Sequence, residues 1–365
     1  MQTPKQFCIS VIIPFYNAES HIKTCLNSFL KQDFNNKFEI ILINDASIDN
    51  SVSLIKKYNI PDLQLLSLEK NSGPGAARNF GLKMAKGDYI YFHDIDDTVD
   101  SNILTILYNA AIKKDCDLVF SDRRFIENSR NQNNNIFFYP EDKNLKNSDI
   151  IEEMKKRFYD PLMLLGIFDF SGRLIRRKII IENKVFFEEN LRYLEDETFI
   201  WNILSYVKNV IYIRKKLCSF FVHPNVNTAL SEGLNRGFNF ANFKIIKKNI
   251  ENCLERRGIS SFQIKKIGDQ AFIFYIISAL VSYSRSMLLG KVDKEKSLNI
   301  RKKLINDIIL DQDVAKAIKT YVRSKKESFL IPRSITWRSS MLLEFACNRR
   351  AKEILRIRRK KGERN

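Results

Sequence analysis

The sequence holds no C-x-x-C pair, and its six cysteines (Cys8, Cys25, Cys116, Cys218, Cys253, Cys347) lie far apart. That spacing excludes a tight disulfide framework or a thiolate zinc site and suits free thiols in a reducing compartment. Histidine is scarce, with only His21, His93 and His223. Glycine at 12 and proline at 8 are too few for a collagen-like or proline-rich chain. Near the C-terminus the longest charge-free apolar run, Gln270 to Ser284, stops at Arg285, short of the ~20 residues a spanning helix needs. Met1 to Phe7 is polar, and Cys8 to Phe15 lacks the basic lead and cleavage site of a signal peptide. The expectation is a cytoplasmic protein, soluble or peripheral on the inner face of the cell membrane.

Acidic residues are also in short supply. Lys and Arg number 61 against 42 Asp and Glu, a formal net charge of +19. Taken alone, such an excess suggests nucleic acid, an anionic membrane surface or a phosphorylated ligand. Its distribution is uneven. Residues 1–227 carry 30 basic and 29 acidic side chains, whereas residues 228–365 carry 31 and 13. With 44% hydrophobic and 28% charged residues over 365 positions, the chain is globular and longer than one ordinary domain. Two parts are expected: a near-neutral domain over 1–227 and a basic, helical domain over 228–365.

The first part alternates short β-rich runs with helical stretches. Ile9 to Pro14, Phe38 to Ile43, Leu63 to Leu68 and Tyr89 to Phe92 read as strands. Ser20 to Leu30, Asp49 to Tyr58 and Ala76 to Ala85 read as helices between them. This predicts βαβ units and an α/β, Rossmann-like, mostly parallel sheet with helices on both faces. Ligands bind such sheets at the carboxyl ends of the strands. All four strand ends are polar: Pro14 to Asn17, Asn44 to Asp49, Asn71 to Asn79, and His93 to Asp97.

Gly73-Pro74-Gly75-Ala76-Ala77-Arg78 nearly fits the dinucleotide fingerprint, but Arg78 stands where the third glycine belongs and the segment follows the third strand. An arginine at a helix start suits a phosphate oxygen better than packing. Asp94, Asp96 and Asp97 repel one another unless a cation intervenes, and Mg²⁺ or Mn²⁺ binds through one or two carboxylates plus substrate phosphates. The alternative is that these acids cap a following helix near Asp100.

Four ordered motifs carry a resemblance. They are Val11-Ile12-Ile13-Pro14-Phe15-Tyr16-Asn17, Glu39 to Asp49, Asn71 to Gly81 with its Ala77-Arg78-Asn79 core, and Asp94 to Asp97. A fifth element, Glu195-Asp196-Glu197-Thr198-Phe199, follows Gly172 to Arg177. With this pattern, from about Cys8 to His223, the chain resembles a family 2 glycosyltransferase of the GT-A fold, of the type that builds bacterial surface glycans. Asn44 and Ala46 depart from it, standing where Asp and Gly are usual.

The resemblance implies a UDP-sugar donor, inversion at the anomeric carbon, and Mn²⁺ or Mg²⁺. In that frame Tyr16 stacks on the base beside Asn17, while the Pro14 backbone and Asp45 meet its polar edge. Arg78 faces the diphosphate or ribose, and Asp94 the ribose or a metal-bound water. Asp96 is the metal ligand, and His223 a second ligand to metal or diphosphate. Asp196 is the base that takes the acceptor proton, with Glu195 second. Without the other motifs, the acids at 195–197 would read as a solvated first helical turn.

From Ala241 onward the pattern is helical. Ala271 to Tyr283, apolar all round, fits the buried helix of a small bundle. Trp337, Met341, Leu342, Leu343 and Phe345 precede a tail holding nine Lys and Arg between 349 and 364. An apolar, aromatic stretch beside basic residues is the pattern of a peripheral anchor on anionic lipid, and a solvated basic tail is the bland alternative. An anchor fits an enzyme with a glycan or lipid-linked acceptor. Two other classes compete. A nucleic-acid-binding protein has only the charge in its favour, with no recognition motif and no interleaved stacking aromatics, so no nucleic-acid partner is expected. The other is a catalytically silent scaffold of the same fold.

Overall fold

The computed structural model describes residues 7–127, 130–132, 137–159, 166–191, 193–222, 239–290, 294–323 and 327–362. The chain divides into two compact units. One comprises Met1–Glu153, Leu164–Asn190 and Glu195–Pro224; the other comprises Met154–Met163, Leu191–Leu194 and Asn225–Asn365.

The first unit is built on one sheet. Its elements run β1 (Ile9–Phe15), α1 (Ile22–Leu30), β2 (Phe38–Asn44), α2 (Ser51–Ile55), β3 (Leu63–Ser67), α3 (Pro74–Met84), β4 (Tyr89–Phe92), β5 (Thr98–Val99) and α4 (Ile103–Lys113). Then follow β6 (Leu118–Glu127), β7 (Arg130–Gln132), β8 (Lys143–Leu145), α5 (Asn147–Lys156), β9 (Arg173–Arg176), α6 (Arg177–Glu182), α7 (Glu195–Leu204) and β10 (Val210–Val222). The order across the sheet is β3-β2-β1-β4-β9-β6-β10-β5, with β7 beside β6 and β8 beside β10.

β1 is buried at every position, as its β-branched run requires. It pairs in parallel with both β2 and β4. The chain winds outward from β1 to β3 and then returns to the other side of β1 at β4. The topological switch, and with it the natural crevice, lies at the carboxyl ends of β1 and β4. Odd-numbered β1 residues Ile9, Val11 and Ile13 pack in one core with Phe29 of α1 and Leu107 of α4. Ile12 and Ile43 point the other way, toward Gly81 of α3. Helices therefore cover both faces, as the sequence pattern predicts.

The far half of the sheet is mixed. β9 runs antiparallel to β4 and β6, β6 runs parallel to β10, and β5 pairs antiparallel with β10. The β5 pairing matters for the site, because it carries Phe221 to the acidic loop that follows β4. The acids of that loop cap no helix: α4 starts later, at Ile103, with Asn102 before it.

The second unit is helical: α8 (Phe240–Arg256), α9 (Ser261–Leu288), α10 (Lys294–Leu310), α11 (Gln312–Ala317), α12 (Leu330–Thr336) and α13 (Ser340–Gly362). A capping box starts α8, with the Asn239 side chain accepting from Ala241 N and Asn242 Oδ1 accepting from Asn239 N. Packed against α8, α10, α11 and α13, α9 buries Ala271, Phe272, Ile276, Leu280 and Tyr283. Gln270, polar within that core, donates to the Phe158 and Val322 carbonyls and accepts from Val322 N, so its amide is satisfied. The apolar run at 270–284 thus belongs to a 28-residue helix, and α9 is long and apolar enough to cross a membrane. Because 61% of its most apolar window is buried inside the protein, it serves as the core helix of the bundle.

Gly81 is where α3 seats on the sheet. A Cβ there would stand 2.6 Å from Ile12 Cγ2 and 2.8 Å from Ile43 Cδ1. Gly81→Ala is therefore expected to cost about 1–3 kcal/mol through overpacking, outweighing the ~1 kcal/mol gained in helix propensity. A urea-unfolding midpoint no lower than wild type would contradict this seating.

Candidate active site

The loops after β1 and β2 are stapled together. Asn17, at φ 49°, accepts at Oδ1 from Ile48 N, and its own N–H donates to Ser47 Oγ. Glu19 N donates to Asp49 Oδ2, while the Glu19 carboxylate accepts from Asn50. Pro14 is buried at the end of β1, and Tyr16 stands beyond it with its side chain 38% exposed. Tyr16 and Asn17 therefore sit together at the mouth of the crevice.

Asp45 is buried, and both carboxylate oxygens are engaged: Oδ1 accepts from Ser72 N at 2.6 Å and Oδ2 from Gly73 N at 2.8 Å. Asp45, expected on the edge of a base, also ties the β2 loop to the start of α3, and each of its oxygens can accept a second hydrogen bond. Ala46 beside it lies in the left-handed region at φ 60°, where glycine is unstrained and alanine costs about 1–2 kcal/mol. Ala46→Gly is expected to raise stability by about 0.5–1 kcal/mol, after allowance for the freedom glycine adds to the unfolded chain. Thermal unfolding checks it, and a lowered transition would be the wrong sign.

Arg78 is the centre of the site. Its guanidinium is buried, donating to Asp94 Oδ1 at 2.7 Å and to Glu195 Oε1 at 3.2 Å. It lies over the Phe170 ring at 4.6 Å and faces the Phe187 ring at 5.4 Å. The arginine that its position in the sequence directs at a phosphate is thus held by two carboxylates and two rings. The neighbouring Asn79 fixes one of those rings. Its Nδ2 donates to the Phe187 carbonyl at 2.9 Å and its Oδ1 accepts from Phe187 N at 2.9 Å. Asn79 belongs to the third sequence motif, whereas nothing local in the sequence points to Phe170 and Phe187.

Through Arg78, the end of β4 is joined to the start of α7, where Glu195, Asp196 and Glu197 form the first turn. Asp196 Oδ1 accepts from Glu197 N at 2.7 Å. Burial, and then the charge of Glu195, push the Asp196 carboxyl up to about 7, against the opposing pull of Arg78. Such a carboxylate can take a proton near neutral pH.

The three acids after β4 have different surroundings. Asp94 is the partner of Arg78. Asp97 is buried and accepts from Phe221 N at 3.2 Å. Burial, then the charges of Asp94 and Asp96, raise it to about 9. Asp96 is half-buried. His93 points into packing, edge-on to Phe29 and stacked on Tyr91, with Nε2 at 3.2 Å from the Asp97 carbonyl oxygen. Burial lowers it to about 4, which keeps it neutral. His223 lies outside the described residues.

Among the described residues, no group of three or more His, Cys, Asp or Glu is arranged to hold a metal ion. A hard divalent cation that takes one or two carboxylates and completes its shell with phosphate and water needs no such group. Asp96, half-buried in the loop after β4, supplies a carboxylate of that kind.

The comparisons with known proteins agree with this geometry. Residues 10–183 match the model of glycosyl transferase family 2. A glycosyltransferase of Escherichia coli K12, YibD, is 26% identical over 332 residues, covering 88% of this chain and 89% of its own. The poly(ribitol-phosphate) beta-N-acetylglucosaminyltransferase TarS of Staphylococcus aureus is 32% identical over 197 residues, 52% of this chain and 31% of that protein. The crystal structure of S. aureus TarS 1–349 in complex with UDP superposes with a TM-score of 0.66 at 20% identity, covering 95% of this chain and 92% of that one. Residues 10–183 thus match a family 2 glycosyltransferase domain, and the chain is a glycosyltransferase with the GT-A fold.

Removing Arg78 would strand Glu195 and Asp94. Arg78→Ala is expected to cost about 3–5 kcal/mol, as for other broken buried ion pairs. Arg78→Lys should recover only part of that, since an ammonium cannot reproduce the two-pronged fork. Equal stability of Arg78→Ala and wild type in chemical denaturation would remove Arg78 from the centre of the site.

Proposed function

We propose that the protein is an inverting transferase that moves a sugar from a UDP-sugar to a hydroxyl of a glycan or lipid-linked glycan in bacterial surface polysaccharide synthesis. The observation that carries this reading is the Arg78 junction. Through Arg78 it joins Asp94, at the carboxyl end of β4, to the helix turn that carries Asp196, a carboxyl raised to about 7. Names of relatives support the substrate class: poly(ribitol-phosphate) beta-glucosyltransferase of Bacillus spizizenii, 30% identical over 207 residues, and TarS, whose 1–349 fragment was crystallised with UDP and with UDP-GlcNAc.

Tyr16 stacks on the uracil ring at the mouth of the crevice, with the Pro14 backbone and Asn17 beside it. Asp45 meets the polar edge of the uracil ring while it holds the Ser72 and Gly73 amides in place. Asp94 faces the ribose and Arg78 keeps it there. Asp96, together with the donor diphosphate, would hold Mn²⁺ or Mg²⁺, with His223 as a second ligand, and the ion would neutralise charge on the leaving diphosphate. Asp196 removes the acceptor hydroxyl proton as the oxygen attacks the anomeric carbon, and Glu195 fixes the turn that presents it. The enzyme works on the cytoplasmic side of an anionic membrane, which its basic C-terminal part contacts.

UDP release from a panel of UDP-sugars with Mn²⁺ tests the reading. Asp196→Asn is expected to lower kcat by about 10²–10⁴-fold with little change in donor KM. Because the active form is the carboxylate, kcat should climb as pH rises through about 7 and level off above it. No turnover with any donor, or a flat profile with an unimpaired Asp196→Asn, would sink the proposal.

A further inference from the structure

The C-terminal helix α13 is amphipathic in an unusual sense. One face is locked into the helical unit: Leu343, Ala346, Cys347 and Ala351 are all buried. Leu343, which the sequence groups with the apolar anchor residues, therefore belongs to the core. The opposite face is exposed and carries Met341, Phe345, Arg349, Lys352 and Arg356. At about 100° per residue, these five positions fall within roughly 80° of the helix circumference, on the side away from the buried set. Trp337 ends α12 just before it. Trp337, Met341 and Phe345 are 60%, 82% and 57% exposed.

A soluble helix ordinarily turns its large apolar residues inward. Here the inward face is filled by small and aliphatic groups, and the largest apolar side chains stand in solvent in line with exposed cations. Apolar and aromatic groups that lead into basic ones along a single face match the layered chemistry of a bilayer surface, where acyl chains lie beneath anionic headgroups. Tryptophan is suited to the boundary between them. Net charge alone would not order the residues this way.

We propose that Trp337, Met341 and Phe345 insert into the interface of an anionic bilayer, while Arg349, Lys352 and Arg356 meet its headgroups. This deepens the membrane part of the proposed function by naming the contacting face, and it stands independently of donor turnover.

The two tryptophans make a test possible. Trp201 is fully buried, so a fluorescence change on adding vesicles reports Trp337. With full-length protein and phosphatidylglycerol–phosphatidylcholine vesicles carrying brominated acyl chains, the expected result is a blue shift and quenching of the exposed tryptophan. Neutral phosphatidylcholine vesicles should give at least tenfold weaker binding. Met341→Ser with Phe345→Ser should reduce co-sedimentation at least tenfold at all salt concentrations. Arg349→Glu with Lys352→Glu and Arg356→Glu should abolish the preference for anionic lipid. All these positions are exposed, so both variants should keep wild-type unfolding and UDP release from soluble donor. Absence of quenching, or vesicle binding by the Ser variant equal to wild type, overturns the proposal. So does a wild-type dimer that the Ser variant converts to monomer without lipid, which would make the face a self-association surface. Failure of UDP release alone would count against the donor reading and leave the vesicle result to decide this one.

Discussion

A single buried guanidinium holds this catalytic unit in its working shape. Arg78 sits at the first turns of α3, yet its two ionic partners come from the end of β4 and the start of α7. Those elements are separated by many residues in the chain, and Arg78 ties them where Phe92 of β4 already packs edge-on to Phe199 of α7 at 5.4 Å. Two carboxylates around one cation, with aromatic rings on its faces, are stable in a dry site only as a set. The set gives the loop after β4 and the first turn of α7 a common anchor. It also explains how Glu195 and Asp196 can be crowded together without either being driven out to solvent. The neighbouring charge and burial that raise Asp196 are consequences of the same arrangement.

The sheet supplies the frame. Winding outward from β1 and returning at β4 leaves a crevice that the polypeptide must line with whatever follows those strands. In this chain the linings are polar, and they are tied to each other: Asn17 to the β2 loop, Asp45 to the start of α3, and Asp97 to the end of β10. Each tie is a side chain satisfying backbone amides, so the crevice walls are held before any ligand arrives. Preorganised walls suit an enzyme whose chemistry depends on aligning two substrates.

Much of this was legible in the sequence, for identifiable reasons. Continuous β-branched runs marked β1, β2 and β4, and the polar residues after them marked the crevice. The direction of Arg78 was not legible, because its partner Glu195 lies 117 positions away and no local rule connects them. The partner of Asn79, Phe187, lies 108 positions away and is hidden for the same reason. The different states of Asp94, Asp96 and Asp97 depend on which one β10 covers, and β10 reaches that loop only through the mixed half of the sheet. Periodicity alone leaves that half unordered. In the helical part, Leu343 and Phe345 look alike in sequence, and only the packing of α13 sends one inward and the other out.

Charge follows the same division of labour. The glycosyltransferase unit is nearly neutral, whereas the excess of cations lies in the helical part of the chain. The central claim is that the crevice at β1 and β4 is a uridine-diphosphate site. Calorimetric titration of the full-length protein with UDP in the presence of Mn²⁺ tests it most directly. The account predicts saturable one-to-one binding that Tyr16→Ala weakens at least tenfold. Absence of binding, or binding unchanged by loss of the Tyr16 ring, would contradict it.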